Sequence, residues 1–405
     1  MKLITRTPYL DKIKSLLGRN LIVCITGQRR VGKSSIMRTL AAEMRNREDT
    51  HIIYVDKEKS EFDAIVNHVD LNAYIEANLQ PNVHNLVLVD EVQQIDDFER
   101  TLCNYYDRDN FDVVVTGSNA KMFSGELATL LSGRYIEIHV QSLSYIEFLQ
   151  FHHLEDSNES LAKYLNVGGM PNLALLPIDD RGAVHDYLSS VYNTIVLKDI
   201  LQREQVRNVN FLENLSRFVA DNTGKLFSPN SISRFMQHER ENVNPQMVRP
   251  YMGFLCNAFI LNRVPRYDIH GKQLLSTNEK YYFEDLGLRN ALTTGNRAVD
   301  IEKLIENAVY LHLSRLGYTV YVGTLKNAEV DFVATKATDT IYIQTTYLLS
   351  DEETIRREFG NLQAINNNYP KYVISLDPFQ AEANVEGIRH LNLRTFLKRV
   401  DLSMA

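Results

Sequence analysis

Eight residues, Gly27, Gln28, Arg29, Arg30, Val31, Gly32, Lys33 and Ser34, fit the spacing GxxxxGK[ST], and the chemistry that spacing serves is the cradling of phosphate. The glycines let backbone N–H groups turn inward, a helix amino terminus adds partial positive charge, and the Lys33 ammonium neutralises phosphate oxygens. The Ser34 hydroxyl is expected to hold Mg²⁺, and Ser35 opens the helix behind it. Hydrolysis needs two further acids. "NLVLVDEVQQI" supplies them, because Leu86–Val89 has a buried-strand pattern that ends in Asp90 and Glu91. Asp90 is expected to hold the hydrated metal, and Glu91 to orient or deprotonate the attacking water.

These side chains need a sheet to hold them. Leu21–Thr26 is a short apolar strand before the loop, and Ser35–Met44 reads as the helix after it. A further strand, "FDVVVTGSNAKMF", delivers Thr116, Gly117, Ser118 and Asn119 at its carboxyl end, where open α/β sheets place their site residues. Asn119 has two readings, a sensor of the γ-phosphate or attacking water, and a cap for the helix that begins near Ala120.

Together "GQRRVGKSS", "LVLVDEVQQI", "TGSNAKMFSGELATLLSGRYIEIHVQSLSYIEFL" and "TNEKYYFEDLGLRNAL" resemble bacterial and archaeal AAA-type ATPases with a carboxy-terminal domain of unknown function. The resemblance spans nearly the whole chain. It implies a P-loop sheet of the additional-strand type and ATP as the nucleotide, since no base-reading motif stands out in the residues. It also puts Arg134 of "LLSGR" where an arginine answers to γ-phosphate on its own or a neighbouring subunit. A salt-bridged surface arginine is the other reading. Arg29 and Arg30 are expected to be exposed and to meet a partner or the ribose.

Past Ser142 the apolar spacing becomes helical, in "YIEFLQFHHL", "LAKYLNVGGMPNLALL" and "VHDYLSSVYNTIVLKDIL", as expected for a helical lid. Between Asn210 and Asp285 three helices precede a hairpin with "DIHGK" as its turn, the order of a winged helix. Arg249 on the third helix and Arg263, Arg266, Lys272 and Lys280 on the hairpin are its candidate phosphate contacts. The last third runs αβββαβ and resembles the restriction-endonuclease fold. By that resemblance Glu306 matches the helix acid and Asp331 the strand acid, while Gln344 replaces the second acid and Thr346 the lysine. Neither Lys326 nor Lys336 is placed to replace that lysine. The expectation is a nuclease fold without efficient nuclease chemistry, because the missing cation would position water and offset phosphate charge.

The expected architecture is therefore α/β. A P-loop AAA-type parallel sheet at 1–141 and its helical lid at 142–205 precede a winged helix at 206–290 and a restriction-endonuclease-like α/β domain at 291–405. Composition agrees with a multidomain soluble protein, with 405 residues, 44% hydrophobic. The net charge of −7 excludes an all-over basic coat, although Leu201–Asp300 carries +3 against −10 for the remainder. Three dispersed cysteines suggest neither disulfides nor structural zinc. No apolar run marks a signal peptide or membrane span, which places the chain in the cytoplasm without membrane partners. The reading is an ATP- and Mg²⁺-dependent ATPase whose nucleotide state controls engagement of a partner, double-stranded DNA or a protein, in a homo-oligomer. The alternatives are a regulatory ATP-binding switch that hydrolyses little, and an ATP-gated nuclease.

Overall fold

The computed structural model describes residues 4–123, 131, 133–238, 244–293, 300–326, 328–349, 352–377 and 384–402. The chain divides into two compact units, residues 1–141 with Asn257–Phe259, and Ser142–Cys256 with residues 260–405.

In the first unit five strands alternate with helices: β1 (Ile22–Thr26), β2 (Thr50–Asp56), β3 (His84–Asp90), β4 (Phe111–Gly117) and β5 (Tyr135–His139). Every neighbouring pair is parallel and the order is β2-β3-β4-β1-β5. β4 lies between the strand that feeds the P-loop and the strand that ends in Asp90, the additional strand that the resemblance implied. β1 reads Ile-Val-Cys-Ile-Thr and all five residues are buried, as a central strand covered on both faces requires. Helices α1 (Thr7–Leu16), α2 (Lys33–Met44), α3 (His68–Asn78) and α4 (Phe98–Tyr105) accompany the sheet. Leu71 and Ile75 of α3 and Phe98, Leu102 and Tyr105 of α4 close a core over Ile22, Cys24, Val87, Val89, Val113 and Val115.

The second unit opens with α5 (Tyr145–His152), α6 (Asn158–Val167) and α7 (Arg181–Ile195), which runs on as a π-helical turn through Val196–Leu201. Gly168 ends α6 at φ 77°, and the Gly169 N–H donates to Asp285 Oδ2 at 2.7 Å. The "GGMP" turn and the "EDLGLRN" stretch are thus one packed feature. Helices α8 (Val209–Asp221), α9 (Pro229–His238) and α10 (Pro245–Asn257) come next, then the hairpin of β6 (Leu261–Asp268) and β7 (Gln273–Phe283). Asn244 Oδ1 accepts from the Gln246 N–H at 2.9 Å, and α10 begins at Pro245 and carries Pro250 inside it.

The hairpin is not a free wing. After α11 (Leu286–Leu292) and α12 (Ile301–Arg315) come β8 (Thr319–Thr324), β9 (Glu329–Lys336), β10 (Asp339–Thr345), α13 (Glu352–Gln363), β11 (Lys371–Ser375), β12 (Asn384–Val385), β13 (Ile388–Asn392) and α14 (Leu393–Phe396). The strands form one eight-stranded mixed sheet in the order β12-β13-β11-β10-β9-β8-β6-β7, in which β6 pairs parallel with β8. A register shift between Val264 and Arg266 accommodates Pro265, which has no N–H to give to a ladder.

Candidate nucleotide-binding site

The P-loop connects the end of β1 to the first residue of α2. Gly27 has φ 142°, and a Cβ there would lie 2.2 Å from the Val140 carbonyl oxygen; Gly32, at φ 100°, caps α2 in the left-handed region. Lys33 folds back over the loop and donates to the carbonyls of Gly27 (2.9 Å) and Gln28 (3.0 Å). From outside, Arg6 donates to the carbonyls of Val31 (3.1 Å) and Gln141 (2.8 Å), and Gln28 Nε2 donates to the Phe259 carbonyl at 2.8 Å. Nothing in the motif announces Arg6, because its partners lie 25 and 135 residues away.

Asp90 is fully buried at the end of β3. The Thr116 hydroxyl donates to its Oδ1, and the Tyr54 hydroxyl lies 3.4 Å from its Oδ2. Burial pushes the Asp90 carboxyl up, and hydrogen bonds from Thr116 and Ser34 work against that rise. Asp90 and Ser34 therefore stand side by side, an oxygen-only donor set of the kind Mg²⁺ takes.

Glu91 adopts φ 55°, which takes its side chain out of the strand's alternation. Its N–H donates to Thr116 Oγ1 at 2.9 Å. Its Oε2 accepts from Gln93 Nε2 at 2.6 Å and from the Ser118 hydroxyl at 3.2 Å. Arg29 Nη2 is 3.6 Å from the same oxygen, and Lys33 Nζ is 3.9 Å from Oε1. Burial opposes ionisation here, but the charges of Lys33 and Arg29 outweigh it, and the carboxyl titrates below its ordinary range.

One expectation here needs correction. Arg29 is not exposed: 5% of its surface reaches solvent, and its guanidinium bridges Glu58 (3.4 Å), Ser118 (3.4 Å) and Glu91. Arg30, at φ 71°, is exposed as expected. Asn119 Oδ1 accepts the Lys121 N–H at 2.8 Å, which is cap chemistry. The Arg134 guanidinium stacks 4.7 Å from the Tyr106 ring centroid and reaches Cys103 Sγ at 3.8 Å, contacts at α4. Gln93 was missed, although it stands two residues after Glu91.

In the second unit Arg249 and Lys272 are exposed. Arg263 faces Glu279 at 3.5 Å, and Arg266 Nε donates to Thr324 Oγ1 at 3.2 Å. Lys280 differs from these four. It is 3% exposed and points into Glu306, Glu329 and Asp331, so its ammonium is not offered to a duplex. Gln344 joins the same group, its Oε1 accepting the Asp331 N–H at 3.3 Å. No helix among the described residues is long and apolar enough to cross a membrane.

Among solved structures, the chain is similar to the Walker-type ATPase of Pyrococcus abyssi (14% identity, TM-score 0.49, 72% of this chain and 96% of that one). It is also similar to AMPPCP-bound DnaA from Aquifex aeolicus (14% identity, TM-score 0.31, 62% and 88%). Both likenesses are too slight to carry an argument. Residues 19–149 match the AAA domain family, and residues 158–299 match a domain of unknown function, DUF8612. An uncharacterized protein of Methanocaldococcus jannaschii is 24% identical over 62% of this chain and 58% of its own length. An uncharacterized protein of Haemophilus influenzae is 32% identical over 95% of this chain and 96% of its own. At that identity, across almost the whole of both chains, the protein belongs to the same family as this Haemophilus influenzae relative, with an AAA domain over residues 19–149 that contains the P-loop.

Proposed function

We propose that the protein is a Mg²⁺-dependent ATPase whose nucleotide state governs its engagement of a macromolecular partner. The observation that carries the hydrolytic reading is the Glu91 carboxylate, kept ionised beside Lys33 and oriented by Gln93 and Ser118. A general base must be deprotonated and held in one direction to accept a proton from water, and Glu91 meets both requirements. Lys33 and the loop amides bind phosphate. Ser34 and Asp90 would hold Mg²⁺, which supplies charge neutralisation of phosphate oxygens when bound. Arg29, already against Glu91, keeps that carboxylate charged. Asn119 and Arg134 are retained as lesser candidates, Arg134 acting from a neighbouring copy in an oligomer.

The test is steady-state ATP hydrolysis by the purified chain with its variants. Lys33→Ala should lose nucleotide binding. Glu91→Gln should bind ATP and turn it over about 10²–10⁴-fold more slowly; ordinary turnover in that variant would sink the assignment of the base. For the partner, duplex DNA is the first choice. Three helices followed by a hairpin support a winged-helix reading, the αβββαβ order of α12 to β11 supports an endonuclease-like one, and Arg249, Arg263, Arg266 and Lys272 are the cations left to meet phosphate. Stimulation of hydrolysis by duplex DNA that falls as salt rises is the expected result. Turnover indifferent to DNA would assign the second unit to a protein partner.

A further inference from the structure

The acids read from the sequence as the remains of a nuclease site lack the lysine that Thr346 replaces, yet they do not lack a cation. Lys280, on β7, places Nζ 2.8 Å from Glu306 Oε1, 2.7 Å from Glu329 Oε1 and 3.7 Å from Asp331 Oδ1. Burial works against its charged form, and the neighbouring Glu306, Asp331 and Glu329 outweigh that and push the Lys280 ammonium's pKa up.

Several of the oxygens that would ligate a metal already have other partners. Glu306 Oε1 also accepts from the Tyr282 hydroxyl at 2.6 Å, and Oε2 lies against Gly224, where a Cβ would come within 2.6 Å of it. Asp331 Oδ2 accepts from both the N–H and the hydroxyl of Thr345 at 2.8 Å. The Gln344 carbonyl, the remaining neutral donor, takes the Asp331 N–H. Among the described residues no group of three or more His, Cys, Asp and Glu is placed to hold a metal ion. The donor set does not fit a divalent ion as it stands, because Lys280 sits at the point on which the acids converge.

We propose that Lys280 is a tethered cation in the place of a metal, joining the hairpin to α12 and β9, and that this carboxylate site takes up a divalent ion only when the ammonium is removed. The second unit then runs no metal-dependent phosphodiester chemistry. The acids are held close by an internal counterion; burial pushes the Glu306 carboxyl up to about 7, and Lys280 works against that rise. The same bond set ties β7 to α12 and β9.

The experiment is Mn²⁺ titration of the full-length protein without nucleotide, followed by paramagnetic resonance, alongside thermal melts. Wild type and Asp331→Asn should titrate alike; a bound Mn²⁺ that disappears in Asp331→Asn overturns the proposal. Lys280→Met keeps the stem as far as Cε and loses the ammonium, and should lower Tm by on the order of 10 °C. Mn²⁺ should restore that loss saturably, where NaCl of equal ionic strength does not. A Lys280→Met protein indifferent to Mn²⁺ overturns the proposal. Should that variant fail to fold, Lys280→Met with Glu329→Gln removes one charge of each sign, and Mn²⁺ should still raise its Tm through Glu306 and Asp331. No rise there is likewise fatal to the idea.

Discussion

The Thr116 hydroxyl serves two neighbours at once, donating to Asp90 and accepting the Glu91 N–H, with no exposure to solvent. Thr116→Val keeps the shape and removes both bonds, leaving a buried carboxylate and a buried N–H each short of a partner. The orphaned N–H costs about 1–3 kcal/mol, whereas Asp90 keeps Tyr54 and Ser34, so urea unfolding should show a loss in that range, and ATP turnover should fall with it. An unchanged midpoint would mean that the two groups find other partners. At this scale the sequence was legible where chemistry imposes spacing: Lys33, Ser34, Asp90 and Glu91 stand in one loop and one strand end. It was illegible where a side chain's partners come from far along the chain. Arg29 reads as a loop arginine, and only the fold brings Glu58, Glu91 and Ser118 around it. Lys280 reads as a wing lysine until Glu306, Glu329 and Asp331 close on it from α12 and β9.

Elements show the same division. Strand and helix positions follow from periodicity, and the three helices, the hairpin and its turn stand close to where the pattern places them. That β6 pairs with β8 could not be read, because the pairing joins residues such as Arg266 and Val322 and no local pattern encodes it. Two helix glycines separate local propensity from packing. Gly360 lies in α13 with nothing within 4 Å of an added Cβ, whereas a Cβ on Gly287 in α11 would lie 2.0 Å from the Val167 carbonyl oxygen. Helix propensity favours Ala over Gly by about 0.8–1 kcal/mol at either position. Gly360→Ala should therefore stabilise the protein by roughly that amount. In Gly287→Ala the obstacle is backbone that cannot rotate away, and the clash should win, destabilising by about 1–3 kcal/mol as overpacking does. Equal effects in denaturant melts would show that α11 has room the geometry denies.

For the whole molecule, each unit has its own sheet, and each has a buried cluster of its own, around Val87, Val89, Val113 and Val115 in the first and around Val330, Val333, Tyr342 and Val373 in the second. A ligand that binds only the folded form of one unit raises that unit's stability by RT ln(1 + [L]/Kd), about 2.7 kcal/mol at a hundredfold excess over Kd. Calorimetry should accordingly resolve two transitions. MgATP should raise one of them in wild type and leave it unmoved in Lys33→Ala, while Lys280→Met should lower the other. The chain adds a condition to this. Asn257–Phe259, running from the last residue of α10 toward β6, belongs to the first unit, where the Phe259 carbonyl accepts from Gln28 of the P-loop and Phe259 itself takes φ 54°. A bulky residue in the left-handed region is strained by about 1–3 kcal/mol and persists only where its surroundings hold it. Phe259→Gly removes that strain together with the ring that lies 4.9 Å from His139. If the backbone bond to Gln28 is what the strain serves, the nucleotide-sensitive transition should move little in Phe259→Gly, whereas Gln28→Ala, which deletes the donor, should lower it. A fall in Phe259→Gly larger than in Gln28→Ala would make the ring, and not the carbonyl, the anchor of this crossing.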